Sequence, residues 1–405
     1  MIRGSSRPAL RTAVGAVLAG LMLTSAAPAA PRPLYPTPDP DVFYATPADI
    51  DTKAAGQVLG VREQPPLPYF PTASVALVKF RSTNSQGRPI AATTTVLTPR
   101  DHSSNAPLLS YQHIINGLGT RCAVSHALYD YDPNLLYRAV PLLNTMLMRG
   151  WSVALPDHLG PTAAYGAARL GGMITLDGLR AIRQVPSLGL AESPLAMLGY
   201  SGGGMATAWA AALAPDYAPE LRLVGAAAGG VPTNIVAMAR ALGLSPHPMF
   251  GLAMAAALGL EREYPDRLPI SDQMNAAGLA VREAMTDGCT LELIGQGAMR
   301  SAAELATSTS LIDDPHVWEV GAENSLELFD GIPAIPIFEW HTPLDPLVPV
   351  DSIDRTNQRY CRAGVRLHSE LYPSPDHLAT AVMGFPSAVA WLDARFRGEA
   401  APSNC

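Results

Sequence analysis

The sequence predicts an α/β chain with a mostly parallel, doubly wound sheet and an inserted helical cap. Three observations carry that reading. Two β-rich runs at 75–81 and 90–97 flank the turn Asn84-Ser85-Gln86-Gly87, the pattern of an antiparallel hairpin. Short strand-like and helix-like runs alternate after it. Later, about 110 residues pass with no strand pattern at all.

The alternation places strands at 108–111, 151–155, 195–199, 221–225, 335–339 and 365–371. Helix-like stretches at 134–149, 162–184 and 202–213 fall between the earlier ones. From Asn234 to about Thr307 the chain is dominated by Ala, Met, Leu and Gly at helical spacing. In an open α/β sheet, ligands bind outside the carboxyl ends of the strands, where such an insertion would sit as a lid. The expected organisation is a core from 30 to 233, a cap from 234 to 307 and a second core segment from 308 to 405. Residues 30–70, rich in proline and polar residues, read as an ordered arm that wraps the surface.

Residues 1–29 read as an export signal. Arg3, Arg7 and Arg11 precede an apolar run ending near Leu23, and Ala27-Pro28-Ala29 supplies small residues for cleavage. The run is short for a bilayer span. The mature chain is expected to be secreted and extracellular, either free or associated with the cell wall. Removing three arginines takes the formal charge from −7 to −10. With no basic run, a nucleic-acid partner is not expected. Cys122, Cys289, Cys361 and Cys405 all lie in the mature chain, and an even number in an exported protein predicts two disulfides with three possible pairings. No close cysteine pair and no His-Glu-x-x-His marks a metal site, so no cofactor is expected.

Gly199-Tyr200-Ser201-Gly202-Gly203 carries the strongest chemical signal. A strand that stops, one residue on a tight turn and a helix that starts at once make a nucleophile elbow, with small residues letting the backbones approach. A serine hydroxyl needs a base for its proton, and the base needs an acid to hold its tautomer. In an elbow-bearing sheet the acid and then the base follow the serine along the chain. His377, in the loop after the last strand, is the expected base. Asp345, in Thr342-Pro343-Leu344-Asp345-Pro346 after the preceding strand, is the expected acid. His341 is the main rival base, with His247, His316 and His368 behind it. Asp376 is set aside because adjacent loop residues point apart, and Asp351 and Asp354 read as helix caps. Asp157-His158 precedes the serine, which breaks the order, and reads as structural. For the oxyanion, the Gly202 N–H is one expected donor and Asn116, after the strand at 108–111, is the other.

With these residues in hand, the chain resembles the secretory lipases of actinobacteria and yeasts, the family that includes the fungal lipase A type. The pieces that carry the resemblance are Asp41-Val42-Phe43-Tyr44, Gly56-Gln57-Val58-Leu59, Ser110-Tyr111-Gln112, Asn116-Gly117-Leu118-Gly119 with Cys122, Asp157-His158-x-Gly160, the elbow and the Asp345 loop. The resemblance implies an α/β-hydrolase core with a helical cap and triacylglycerol lipase or carboxylesterase activity without a metal. It also implies the roles of Ser201, Asp345 and His377 and the pairings Cys122–Cys289 and Cys361–Cys405. Some members carry an acidic residue where this chain has Asn116. An amide donates a hydrogen bond without first being protonated, so the acid side of the pH profile would move. The expected partner is a small-molecule or lipid ester, with transient contact to a lipid interface through the cap. The same machinery could serve acyl transfer to another acceptor, and a non-catalytic binding protein on the same fold is the remaining alternative.

Overall fold

The computed structural model describes residues 33–308, 310 and 313–405, together with Met1 and Gly4. The stretch read as an export signal otherwise lies outside the described residues. Nine strands form one sheet in the order β1-β2-β3-β5-β4-β6-β7-β8-β9. They are β1 (Val58–Gln64), β2 (Ala73–Thr83), β3 (Pro89–Pro99), β4 (Leu108–Gln112), β5 (Ser152–Pro156), β6 (Leu195–Tyr200), β7 (Leu223–Gly229), β8 (Ile337–His341) and β9 (Leu367–Leu371). The first three and the β3–β5 pair are antiparallel. From β5 onward every pairing is parallel.

The helices follow in chain order. Between β4 and β5 lie α1 (Val124–Ala127), α2 (Pro133–Arg138) and α3 (Val140–Met148), so the helix expected at 134–149 is broken at Ala139. Then come α4 (Ala168–Arg183) before β6 and α5 (Gly202–Tyr217) after it. The β7–β8 connection holds α6 (Ile235–Gly243), α7 (Phe250–Glu263), α8 (Ala276–Met285), α9 (Thr290–Gly297), α10 (Ala302–Leu305) and α11 (Pro315–Glu323). Finally, α12 (Val350–Arg362) separates β8 from β9, and α13 (His377–Phe396) follows the last strand.

The sheet is buried on both faces, as parallel strands require. One apolar cluster joins it to α4 and α5, with Trp209, Leu170 and Ile174 fully or almost fully buried. The other joins it to α3 and α13, around Leu143, Trp391 and Leu392. A third, smaller cluster belongs to the insertion and includes Phe250, Leu258, Met285 and Leu293. Leu118, from the loop after β4, is buried in that third cluster.

Two elements differ from the sequence reading. The 30–70 stretch contains a strand after all, because Val58–Gln64 adds to the sheet edge against β2. Its side chains alternate between half-buried and exposed, and they include Arg62, Glu63 and Gln64, so no hydrophobic period marks it. The strand expected at 221–225 runs instead over Leu223–Gly229. Alanine and glycine disguise it, and packing explains them. A Cβ at Gly229 would lie 2.2 Å from Trp340 Cε2, and one at Gly225 would lie 2.9 Å from Trp391 Cζ3. Nor do Asp351 and Asp354 cap α12: its N-cap is Pro349.

Both disulfides join Cys122 to Cys289 and Cys361 to Cys405. The first ties the loop after β4 to the start of α9. The second ties the C-terminal residue to α12.

The glycine packing is testable. A Cβ at Gly203 would lie 2.0 Å from the Gln112 carbonyl oxygen, a backbone atom with no freedom to move aside. Gly203→Ala is expected to cost more than about 2 kcal/mol in urea unfolding. Gly295 in α9 has nothing within 4 Å of the same position, so Gly295→Ala is expected to stabilise by ~0.5–1 kcal/mol.

Candidate active site

The elbow is built by convergence of backbones. β6 ends at Tyr200 and α5 begins at Gly202, leaving Ser201 as the N-cap with φ 54° and ψ −123°. A side-chain-bearing residue at positive φ outside the left-handed helical well costs on the order of 1–3 kcal/mol and is held by its surroundings. Here the Ser201 N–H donates to the Gly229 carbonyl at 2.8 Å, and the Ser201 carbonyl accepts from Met205 N–H at 2.8 Å. Glycine at 199 is required as well, since a Cβ there would meet the Gly203 carbonyl at 2.4 Å.

The structure brings His377 and Asp345 together. His377 Nδ1 lies 2.6 Å from Asp345 Oδ2, and both side chains are almost wholly buried. The other carboxylate oxygen, Oδ1, accepts from the N–H groups of Leu347 and Val348, each at 2.9 Å. Burial alone would raise the Asp345 carboxyl, but His377 and these two N–H groups together hold it below its ordinary value. It is therefore an anion at neutral pH.

His377 is the first residue of α13, and Asp376 caps that helix by accepting from Ala379 N–H at 2.6 Å. Neighbours in sequence thus face opposite tasks. The Tyr200 hydroxyl donates to the His377 carbonyl at 2.5 Å, and the two rings lie 5.0 Å apart. That contact was not legible in the sequence, where Tyr200 is only the variable letter of the elbow. His377 Nε2 is buried and has no hydrogen-bond partner among the described residues. Its ring passes Gly230, the residue after the carbonyl that anchors Ser201; a Cβ at Gly230 would lie 2.9 Å from His377 Cε1.

The rival bases are otherwise engaged. His341 Nδ1 meets both oxygens of Glu339 at 2.9 and 3.0 Å within β8. His368 Nε2 lies 3.4 Å from Glu370 Oε1, and His316 Nδ1 lies 3.3 Å from Glu319 Oε2. His247 Nδ1 accepts from the Met249 N–H at 3.0 Å. Asp157 accepts from Thr93 Oγ1 at 2.6 Å and from the Ser125 N–H at 3.0 Å, a structural brace between β3 and α1.

Asn116 is buried beside the elbow: a Cβ at Gly202 would lie 3.0 Å from Asn116 Oδ1, which has no hydrogen-bond partner among the described residues. Ser201, Gly202 and Asn116 share the wall of a cavity of about 230 Å³. Away from them its lining is almost entirely apolar, drawn from α6 and α7 (Ile235, Leu242, Phe250, Leu260) and from Trp318 of α11.

A sheet of this order with helices on both faces, and a strained serine between β6 and α5, places the chain in the α/β-hydrolase class. The family model described as secretory lipase matches residues 138–404. Lipase 4 of Candida albicans is 32% identical over 97% of this chain and 86% of that protein. The crystal structure of Candida antarctica lipase A in its closed state superposes with a TM-score of 0.84 at 28% identity, covering 92% of this chain and 90% of that one. A Mycobacterium tuberculosis protein named as a probable inactive lipase is 30% identical over 91% of this chain and 84% of its own length. The chain belongs to the secretory lipase family.

Two further histidines sit at the carboxyl ends of β4 and β5. His113 and His158 are 3% and 2% exposed. Burial pushes His113 down to about 3, helped by His158 and Arg138, and pushes His158 down to about 4. Each stays neutral in the folded protein but protonates near its ordinary value of 6.5 once unfolded. Their contribution is complete above that value and is lost progressively as pH falls toward about 4 and 3. Unfolding free energy measured by urea at pH 7, 6 and 5 should fall by roughly 1 kcal/mol per pH unit for each imidazole below pH ~6.5. The His113→Gln, His158→Gln double variant should show a shallower slope.

Proposed function

We propose that this member of the secretory lipase family is a secreted serine ester hydrolase acting through Ser201, His377 and Asp345. The observation that carries the reading is the 2.6 Å contact between His377 Nδ1 and Asp345 Oδ2, which leaves a buried, unpartnered Nε2 as the base. Ser201 attacks the ester carbonyl while His377 Nε2 takes its proton. The developing oxyanion is held by the Gly202 N–H and by the Asn116 amide. Protonated His377 then gives its proton to the leaving alcohol, with Asp345 stabilising the imidazolium. Water, activated by the same imidazole, hydrolyses the acyl-enzyme and restores Ser201.

The apolar cavity supports an acyl chain as the buried part of the substrate. We assign its roof to a cap beginning at 234. Lining by Val317, Trp318 and Gly321 carries that roof beyond the boundary expected at 307. This lining favours transfer to water from lipid or fatty esters over peptide chemistry, since no charged group among the described residues lines the cavity.

Two measurements test this. A fluorophosphonate should label Ser201 stoichiometrically, and Ser201→Ala should lose at least ~10⁴-fold in kcat. A folded wild-type protein that takes no label would instead align with a non-catalytic role. Across a series of p-nitrophenyl esters, kcat/KM should rise about fourfold per added methylene, from ~0.8 kcal/mol each, until the cavity is filled. Equal turnover of acetyl and octanoyl esters would refute an acyl-binding cap.

A further inference from the structure

Arg262 is a buried cation that makes no direct ion pair with a carboxylate among the described residues. It lies in the last turn of α7 and is 4% exposed. Its guanidinium donates to five backbone carbonyls. Nε reaches Leu34 at 2.8 Å; Nη1 reaches Leu118 at 2.6 Å, Thr162 at 3.0 Å and Ala163 at 3.3 Å; Nη2 reaches Thr286 at 3.0 Å. Burial pushes its pKa down to about 10, against the pull of Asp287, Tyr35 and Glu261, so it stays charged at neutral pH. A buried charge is costly unless hydrogen bonds replace its hydration. Five carbonyl oxygens from four segments do so here, and each is oriented toward one rigid fork.

The shortest of the five bonds goes to Leu118, two residues beyond Asn116. The same loop has further ties to the insertion. Thr290 Oγ1 donates to the Asn116 carbonyl at 3.1 Å, and Leu118 N–H donates to the Gly288 carbonyl at 2.9 Å. A Cβ at Gly119 would lie 2.4 Å from the Asp287 carbonyl, so the loop backbone rests directly on the α8–α9 connection. The Cys122–Cys289 disulfide closes the arrangement. On its other side Asn116 meets Gly202. The loop is thus held between the insertion and the elbow.

We infer that Arg262, with Thr290, is a positioning residue for oxyanion stabilisation. Together they fix the loop so that the Asn116 side chain stays beside Gly202, where its Nδ2 donates to the oxyanion once Oδ1, the atom now nearer Gly202, turns away. The inference rests on the reading of Asn116 as an oxyanion donor. Neither residue lines the cavity, so the role acts on the oxyanion loop and not through direct contact with the substrate. A guanidinium is needed because a lysine ammonium, with three donors on a point charge, cannot span four segments.

The test uses the full chain with Arg262→Lys, Thr290→Val, Asn116→Ala and the Asn116→Ala, Arg262→Lys double variant. Active sites are counted by fluorophosphonate titration, so that unfolded protein drops out of every rate. With p-nitrophenyl butyrate, Asn116→Ala should lower kcat roughly 10²–10³-fold. Arg262→Lys should lower it about tenfold or more with KM within about twofold, as a small misplacement of a catalytic donor does. Its activity should also fall as pH rises through the range where the buried ammonium loses its proton. Thr290→Val should lower kcat severalfold in the same sense, and it carries the test if Arg262→Lys fails to fold. In the Asn116→Ala background, Arg262→Lys should change kcat by less than about twofold, because the group it positions is gone. Wild-type kcat per titrated site in both positioning variants, with loss confined to the melting temperature, would overturn the inference; so would multiplicative effects in the double variant. Wild-type kcat in Asn116→Ala alone would instead overturn the oxyanion reading beneath it.

Discussion

Three backbones meet at Ser201 with no room for a methyl group between them. A Cβ at Gly203 would strike Gln112 at the end of β4, one at Gly199 would strike Gly203, and one at Gly204 would lie 2.8 Å from the Gly229 carbonyl at the end of β7. Because these three glycines carry no side chain, α5 can start this close to the ends of β4, β6 and β7. That closeness forces Ser201 into its strained conformation. The loop bearing Asn116 leaves β4 at the same rim, and Gly229 anchors Ser201 from β7.

A second constraint comes from beneath the rim. Trp340 on β8 is fully buried and occupies the space that side chains at Gly229 and Gly384 would need, the latter approaching Trp340 Cδ1 to 2.1 Å. It lies 5.5 Å from the Tyr200 ring and 5.7 Å from that of Phe385. Tyr200 in turn holds the His377 backbone. His377 is therefore placed by an aromatic cluster that reaches from the elbow strand to α13, while Asp345 is placed by N–H groups of its own loop. Under the proposed function, such rigid support lowers the reorganisation that accompanies proton transfer.

Much of this was legible in the chain. The elbow, the hairpin and the alternation of strands and helices are local patterns with short periods, so a single sequence carries them. That Asp345 and His377 lie at one edge of the sheet was legible through their position after strands, and that Asn116 lies beside the elbow through its position after β4. Val58–Gln64 was not, because a half-exposed edge strand needs no hydrophobic alternation. The register of β7 was hidden because its small residues answer to Trp340 and Trp391, more than a hundred residues away in the sequence.

By itself, then, the sequence determined which turns are tight, which runs are buried and which side chains are able to relay a proton. Tertiary structure alone decided the pairings: His377 with Asp345 rather than His341, which Glu339 holds, and Arg262 with carbonyls from four segments. The reason is physical. Local pattern reflects the conformational preference of a few adjacent residues, whereas a buried polar atom is satisfied by whatever the fold brings within hydrogen-bond reach, and no spacing along the chain encodes that distance.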